Sequence, residues 1–220
     1  MSIAENLVRI KQDLPGDVCL VAVSKTKPVS ALLQAYQVNQ RIFGENKVQE
    51  LCMKQAELPQ DIQWHFIGHL QTNKVKQIAP FVSLIHSVDS LKLLRELNKE
   101  ALKNNRIIHC LLEFHIATEE SKFGLDYIEA CIMLDSAEYL KMGNISIDGV
   151  MGMASFTNDK ILIHLEFRNL KHIFNKLKKA YFTKQDHFRE ISMGMSEDYQ
   201  IAIREGSTMV RIGSSIFGTR

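Results

Sequence analysis

The sequence predicts one domain spanning residues 1–220, folded as a (β/α)8 barrel. Three observations point there. Short apolar segments of strand length alternate with helix-length stretches that carry polar outer faces, the order that winds a parallel sheet. Their spacing is regular, and a count of eight favours closure over the competing open doubly wound sheet. Polar residues and glycines recur at the carboxyl ends of these segments although the segment interiors are apolar, as expected of a barrel with one working face.

In the opening stretch Ile3, Leu7, Ile10 and Leu14 share one helical face, an extra N-terminal helix ahead of the first strand. Glu5, Arg9, Lys11 and Asp13 break any apolar run there, so the stretch does not read as a signal peptide. Val18–Lys25, "VCLVAVSK", is an unbroken apolar run with β-branched Val18, Val21 and Val23, which reads as a strand buried on both faces. Pro28 then stands where the first turn of a helix begins. Val29–Val38 reads as that helix, Arg41–Gly44 as strand two and Asn46–Glu57 as the next helix. Ile62–Ile67 is strand three, Thr72–Ala79 a helix and Phe81–Ser87 strand four. Asp89 is the expected N-cap of a long helix over Ser90–Lys103. Arg106–His115 is strand five, and a polar loop with Glu119, Glu120, Lys122 and Gly124 leads to a helix at Tyr127–Leu140. Ile145–Met151, Glu190–Met193 and Met209–Ile212 are strands six to eight, separated by helices at Leu162–Ala180 and Glu197–Glu205. No linker, low-complexity segment or repeat beyond the βα unit interrupts this order.

Composition excludes several classes. A formal net charge of +2 is too mild for a nucleic-acid-binding field. No apolar run approaches membrane-spanning length. The cysteines Cys19, Cys52, Cys110 and Cys131 lack C-x-x-C spacing, and two lie in predicted strands, the pattern of reduced packing residues in a cytoplasmic protein. Lys171, Lys176, Lys178, Lys179 and Lys184 read as the solvated face of an outer helix.

The strand ends collect the chemistry. They present Lys25, Glu45-Asn46, Gly68-His69, Ser87, His115 and Met151-Gly152, then "SMGMS" at Ser192–Ser196 and "RIGSSIFG" at Arg211–Gly218. A lysine at the mouth of a barrel is partly desolvated, which favours the neutral, nucleophilic amine. Gly213 with Ser214 and Ser215, and the hydroxyls of the strand-seven turn, occupy the two loops where such barrels hold phosphate. A lysine facing a phosphate cradle suggests a phosphorylated aldehyde or ketone held as a Schiff base, with pyridoxal 5′-phosphate the obvious candidate. His65 and His69 flank a strand end and do not read as a metal pair, whereas Met151, Met153, Met193 and Met195 read as packing.

"LVAVSKTKP", "FGENKVQE", "WHFIGHLQTNK", "IHSVDS", "EESKFG" and "SMGMSEDYQIAIREGSTMVRIGSSIFGTR" occur in this order, and with them the chain closely resembles the YggS/PROSC family of pyridoxal phosphate homeostasis proteins. The resemblance implies the TIM barrel of the alanine racemase N-terminal domain standing alone. It implies that Lys25 is the Schiff-base lysine and that Ser192, Gly213 and Ser214 match phosphate-binding positions. Asn46 matches an asparagine lining the cofactor pocket and Arg211 the arginine facing the pyridine nitrogen. Glu113-Phe114-His115 departs from the Gln-Val-Asn usual in the family, and Ser214 stands where threonine is common.

A guanidinium only donates hydrogen bonds, so a pyridine nitrogen facing Arg211 stays unprotonated and the ring is a poorer sink for a carbanion. In alanine racemase, the resemblance implies, the second acid-base group comes from a C-terminal domain, and this chain stops at Arg220, a few residues after strand eight. No replacement is obvious: His115 is the one candidate, and it reads first as a pocket wall or a hydrogen-bonded core histidine. The expectation is therefore a monomeric cytoplasmic protein that stores, buffers or delivers pyridoxal phosphate to apoenzymes without robust turnover. A slow amino-acid racemase or decarboxylase, and a Schiff-base enzyme acting on a sugar phosphate, are the alternatives.

Overall fold

The computed structural model describes residues 2–119 and 123–218; Glu120 and Lys122 of the expected polar loop, and the last two residues of the final motif, lie outside the described residues. Ser2 opens the chain by capping α1 (Ile3–Asp13), its hydroxyl accepting from the Glu5 amide while the Glu5 carboxylate accepts from the Ser2 amide. The order is then β1 (Cys19–Val23), α2 (Val29–Gln37), β2 (Ile42–Glu45), α3 (Val48–Glu57), β3 (Gln63–Phe66), α4 (Val75–Ile78), β4 (Leu84–Val88) and α5 (Leu91–Lys103). It continues with β5 (Ile108–Phe114), α6 (Tyr127–Asp135), β6 (Ile145–Gly152), α7 (Lys160–Ala180), β7 (Glu190–Ser192), α8 (Tyr199–Arg204), β8 (Met209–Ile212) and α9 (Ser214–Phe217). All neighbouring strands are parallel, and β8 returns to pair with β1, closing the barrel in sequence order. The eight-stranded barrel and the N-terminal helix match the architecture expected from the sequence.

Several boundaries differ for identifiable reasons. Strand four begins at Leu84, because the Phe81 and Val82 amides still donate to the Ile78 carbonyl as the chain leaves α4. Ser90, rather than Asp89, caps α5: its hydroxyl accepts from the Leu93 amide. The sixth helix stops at Asp135 because Ser136 turns extended and donates to the Met133 carbonyl, after which only a single 3₁₀ turn at Tyr139–Lys141 forms. The stretch at Thr72 opens likewise as a 3₁₀ turn before α4. The one-turn α9 was not anticipated as a helix; the Asn6 side chain donates to its Ile216 carbonyl at 3.0 Å and ties the two ends of the chain together.

Alternation along each strand sorts side chains into two layers. Leu20, Ala22, Phe43, Trp64, Phe66, Ile85, Cys110, Leu112, Val150 and Ile212 face the helices in the main core. Val21, Leu84, Leu111, Met151 and Met209 form a small apolar cluster inside the barrel. Met193, expected at the mouth, is in the outer core instead. The same inward parity continues upward to His65, His86, Glu113, Ser192 and Arg211, all buried. The barrel is therefore apolar at mid-height and polar towards its carboxyl end. The Lys171 and Lys178 ammonium groups of α7 lie over the Phe174 ring, and that of Lys176 over the Tyr127 ring at the start of α6.

Candidate functional site at the carboxyl mouth of the barrel

Lys25 lies two residues past β1 in the turn to α2 and is half-buried. Inside the barrel it shares the parity of Cys19 and Val21, which pack in the inner cluster. Its turn is held from both sides. Ser24 donates its hydroxyl to Glu45 Oε1 at 2.7 Å, and the Thr26 amide donates to Glu50 Oε1 at 2.5 Å. Thr26 has φ +65°, the left-handed region that residues with a side chain seldom adopt. Below the turn, Lys54 is 2 % exposed, and its ammonium donates to the Ser24 carbonyl, Glu45 Oε1 and Glu50 Oε1, each at 2.7 Å. All three of its donors are engaged. Glu45 is fully buried, and burial pushes its carboxyl up against the lowering effect of Lys54 and Ser24.

The β8 end stands beside this turn. Ala22 pairs with Ile212, so Val23 and Gly213 come next to each other at the top of adjacent strands. A Cβ on Gly213 would sit 3.1 Å from the Val23 carbonyl oxygen, a close approach that favours glycine. Lys27 donates to the Gly218 carbonyl at 2.9 Å and links the lysine turn to the end of α9. From β7, Ser196 accepts from the Gly213 amide at 3.2 Å. Ser196 is placed by its own turn: Asp198 accepts from the Met195 amide, and Gly194, at φ +96°, lies where a Cβ would meet Ala202 Cβ at 2.6 Å. Ser214 and Ser215 open α9, whose first amides have no intrahelical acceptor.

Ser192 does not stand in that group. Its hydroxyl is fully buried inside the barrel, 2.6 Å from Arg211 Nη1 and 2.9 Å from His86 Nδ1. Arg211 also donates to the Ser192 carbonyl at 2.8 Å and, through Nη2, to the Gly152 carbonyl at 3.1 Å. His86 Nε2 lies 3.0 Å from His65 Nδ1. A guanidinium only donates, so Ser192 Oγ accepts from Arg211, and the chain continues through His86 to His65, each ring bonding its neighbour through one nitrogen. Both rings are neutral. Burial agrees, holding His65 down to about 3 and His86 well below the usual histidine range. Arg211 is lowered by burial to about 10, held up by the charges of Asp198 and Glu113, and stays protonated at neutral pH. Glu113 pairs in register with Met151 of the inner cluster; burial, with help from Asp89 and against the pull of Arg211, pushes its carboxyl up to about 7.

Asn46 is half-buried at the carboxyl ends of β2 and β3, where it borders a cavity of about 250 Å³ with Phe66, His69 and Lys74 among its walls. His115 Nε2 lies 2.8 Å from the Glu119 carbonyl, which ties the ring to the loop after β5. His69 pairs with Asp89 and stacks on Phe123, whereas His65 points into the barrel, so the two do not converge. Lys25, Gly213, Ser214 and Arg211 are thus brought to one mouth, with Asn46 on its β2 side. Ser196 supplies one of the two hydroxyls expected of the strand-seven turn, whereas His86 and Lys54 carry little sequence signal: His86 is a polar residue in an apolar run and Lys54 one charge on an amphipathic helix.

The closed parallel barrel is of the class of the alanine racemase N-terminal domain, and the pattern of that family matches residues 1–220. The chain belongs to this family and, by its relatives, to the pyridoxal phosphate homeostasis proteins. A protein of that name from Aquifex aeolicus is 38% identical over 209 residues, covering 93% of this chain and 89% of the relative. The one from Pasteurella multocida is 36% identical and covers 100% of this chain and 98% of its own. PipY of Synechococcus elongatus, solved with PLP bound, superposes with a TM-score of 0.89 at 34% identity, covering 99% of this chain and 100% of PipY. Alanine racemase of Clostridium difficile shares the fold, with a TM-score of 0.80 at 15% identity, and this chain spans 60% of it.

Proposed function

We propose that the protein binds pyridoxal 5′-phosphate at the carboxyl mouth of its barrel, bonds it as a Schiff base to Lys25, and stores, buffers or delivers it to apoenzymes without robust turnover. The observation that carries this reading is the pairing of β1 with β8, which sets the lysine turn against the Gly213 turn. An amine and an anion cradle on adjacent strand ends suit a molecule with an aldehyde at one end and a phosphate at the other. The Gly213 turn, where a Cβ would crowd Val23 and whose own amide donates to Ser196, leads into the Ser214 and Ser215 amides, which can meet an anion, and Ser214 and Ser196 add hydroxyls. Ser196 replaces Ser192 in this assignment, because Ser192 is engaged by Arg211 and His86. Three of the five Arg211 donors are engaged by Ser192 and Gly152, which leaves donors for a ring nitrogen, and Asn46 lines the β2 side. When bound, pyridoxal phosphate supplies an aldehyde for amines and an electron-withdrawing ring; a nitrogen that only accepts from Arg211 weakens that withdrawal.

The test is spectroscopic. Purified protein should absorb in the near-visible, lose the band on borohydride treatment, and lack it in Lys25→Ala, which keeps phosphate-driven affinity. A colourless protein that also fails to take up added cofactor refutes the reading. Ser196→Ala should weaken retention by roughly 1.5–3 kcal/mol, one hydrogen bond to a charged group; unchanged retention would return the phosphate contact to Ser192. A slow racemase is the second reading, favoured by Glu113, whose carboxyl titrates near neutrality inside the mouth. It expects exchange of an amino acid's α-hydrogen for solvent deuterium, abolished in Glu113→Gln. Free Cys19, Cys52, Cys110 and Cys131 support a cytoplasmic setting. A closed barrel, which offers no sheet edge for pairing, supports a monomer, and sedimentation tests that. No helix among the described residues is long and apolar enough to cross a membrane.

A further inference from the structure

The motif "FGENKVQE" contributes more to the mouth than Asn46. Glu45 ends β2 and Glu50 lies in the first turn of α3, and one helical turn further on Lys54 reaches back between them. The three converge on the two residues that flank Lys25. Ser24 is gripped at both its hydroxyl and its carbonyl, and Thr26 at its amide. Lys25 itself is left out of the cluster. No hydrogen bond to the Lys25 ammonium is found among the described residues.

We propose that Lys54, Glu45 and Glu50 are positioning residues for Lys25, a buried ionic clamp that holds the turn in the geometry from which the lysine amine meets an aldehyde. The inference rests on the reading of Lys25 given above. Burying the Lys54 and Glu45 charges is costly unless each is paired and hydrogen-bonded, so a simpler apolar filling would serve packing alone better. Here the pairing is aimed: Lys54 Nζ and Glu45 Oε1 both close on Ser24, and Glu50 Oε1 is shared between Lys54 and the Thr26 amide. The left-handed Thr26 is the conformation that needs holding, since an unrestrained threonine would relax to negative φ and swing the preceding side chain. Condensation makes the requirement strict. The ammonium gives a proton to solvent, the amine nitrogen bonds to the aldehyde carbon, and the aldehyde oxygen leaves as water. A lysine whose turn wanders reaches that geometry less often.

Glu50 is the residue to test, because it is partly exposed and its loss leaves the Lys54–Glu45 pair in place. Protein stripped of cofactor is mixed with pyridoxal 5′-phosphate, and the growth of the borohydride-fixable band is followed by stopped flow. Binding of pyridoxine 5′-phosphate, which has the ring and phosphate but no aldehyde, is measured in parallel. Glu50→Ala should slow band formation about tenfold or more while pyridoxine 5′-phosphate binds within about twofold of wild type. Glu50→Gln, which keeps an oxygen for the Thr26 amide, should stay within about threefold. Wild-type rates in Glu50→Ala, or equal losses for both ligands, overturn the positioning role and leave Lys25 as the bonding residue. A wild-type protein with no band dependent on Lys25 overturns both.

Discussion

Lowering the pH from 7 to 4.5 is expected to destabilise the fold, by up to about 1.4 kcal/mol per pH unit for each buried histidine that stays neutral, and the loss should be steeper below 4.5 than above it. The sign follows from His65 and His86. Each is buried neutral with its folded value far below 6.5, to about 3 for His65, so below pH 6.5 the unfolded chain binds protons that the folded barrel refuses. Stability is then present above the unfolded value and lost on acidification. Glu113 works in the opposite direction between 4.5 and about 7, because its folded carboxyl is protonated where the unfolded one is ionised. It offsets one of the two histidines over that interval and nothing below 4.5, which is why the slope steepens. Urea unfolding across this range measures it. His65→Gln, whose carboxamide can donate to or accept from His86, should reduce the slope by one proton. A flat profile would mean that the rings carry charge in the folded protein.

Lys54→Met should cost about 3–5 kcal/mol at neutral pH, the consequence of leaving a buried partner without its counter-ion. Glu45 is 0 % exposed, and one of its oxygens, Oε2, has no hydrogen-bond partner, so the Lys54 ammonium is what compensates the charge on the other. The same substitution with Glu45→Gln should recover much of the loss, because the remaining carboxamide is neutral and Ser24 can still donate to it. Denaturant midpoints of the single and double variants give the coupling. A Lys54→Met midpoint equal to wild type would mean that the cluster is not desolvated.

Much of the barrel was legible because its signal is local. Apolar runs such as Leu20–Val23 cannot face water on either side, and their alternation with amphipathic stretches leaves few ways to wind the chain. The placement of Lys25, Arg211, Gly213 and Ser214 near one face was legible for a related reason: they lie at or just past the carboxyl ends of β1 and β8, and in a parallel barrel all such ends share one face. Side-chain direction was not legible in the same way. Ser192 and Ser196 lie four apart in one motif, yet the first points down into the barrel and the second sits beside the next turn, because β7 ends between them. Ser90 displaced Asp89 as a cap for a similar reason, since one residue of register decides which side chain meets the Leu93 amide.

Periodicity and strand-end composition, both properties of neighbouring residues, determined by themselves that the chain forms a closed barrel with the Lys25 turn and the Gly213 turn at one mouth. Only the tertiary structure decided which buried polar groups answer one another: Lys54 with Glu45 and Glu50 beneath the lysine turn, and Arg211 with Ser192, His86 and His65 inside the barrel. The Arg211 chain joins side chains of four strands far apart along the sequence, and the Lys54 cluster joins α3 to the ends of β1 and β2. A buried charge or ring takes its protonation state and its direction from what surrounds it in space, and no spacing along the sequence specifies that.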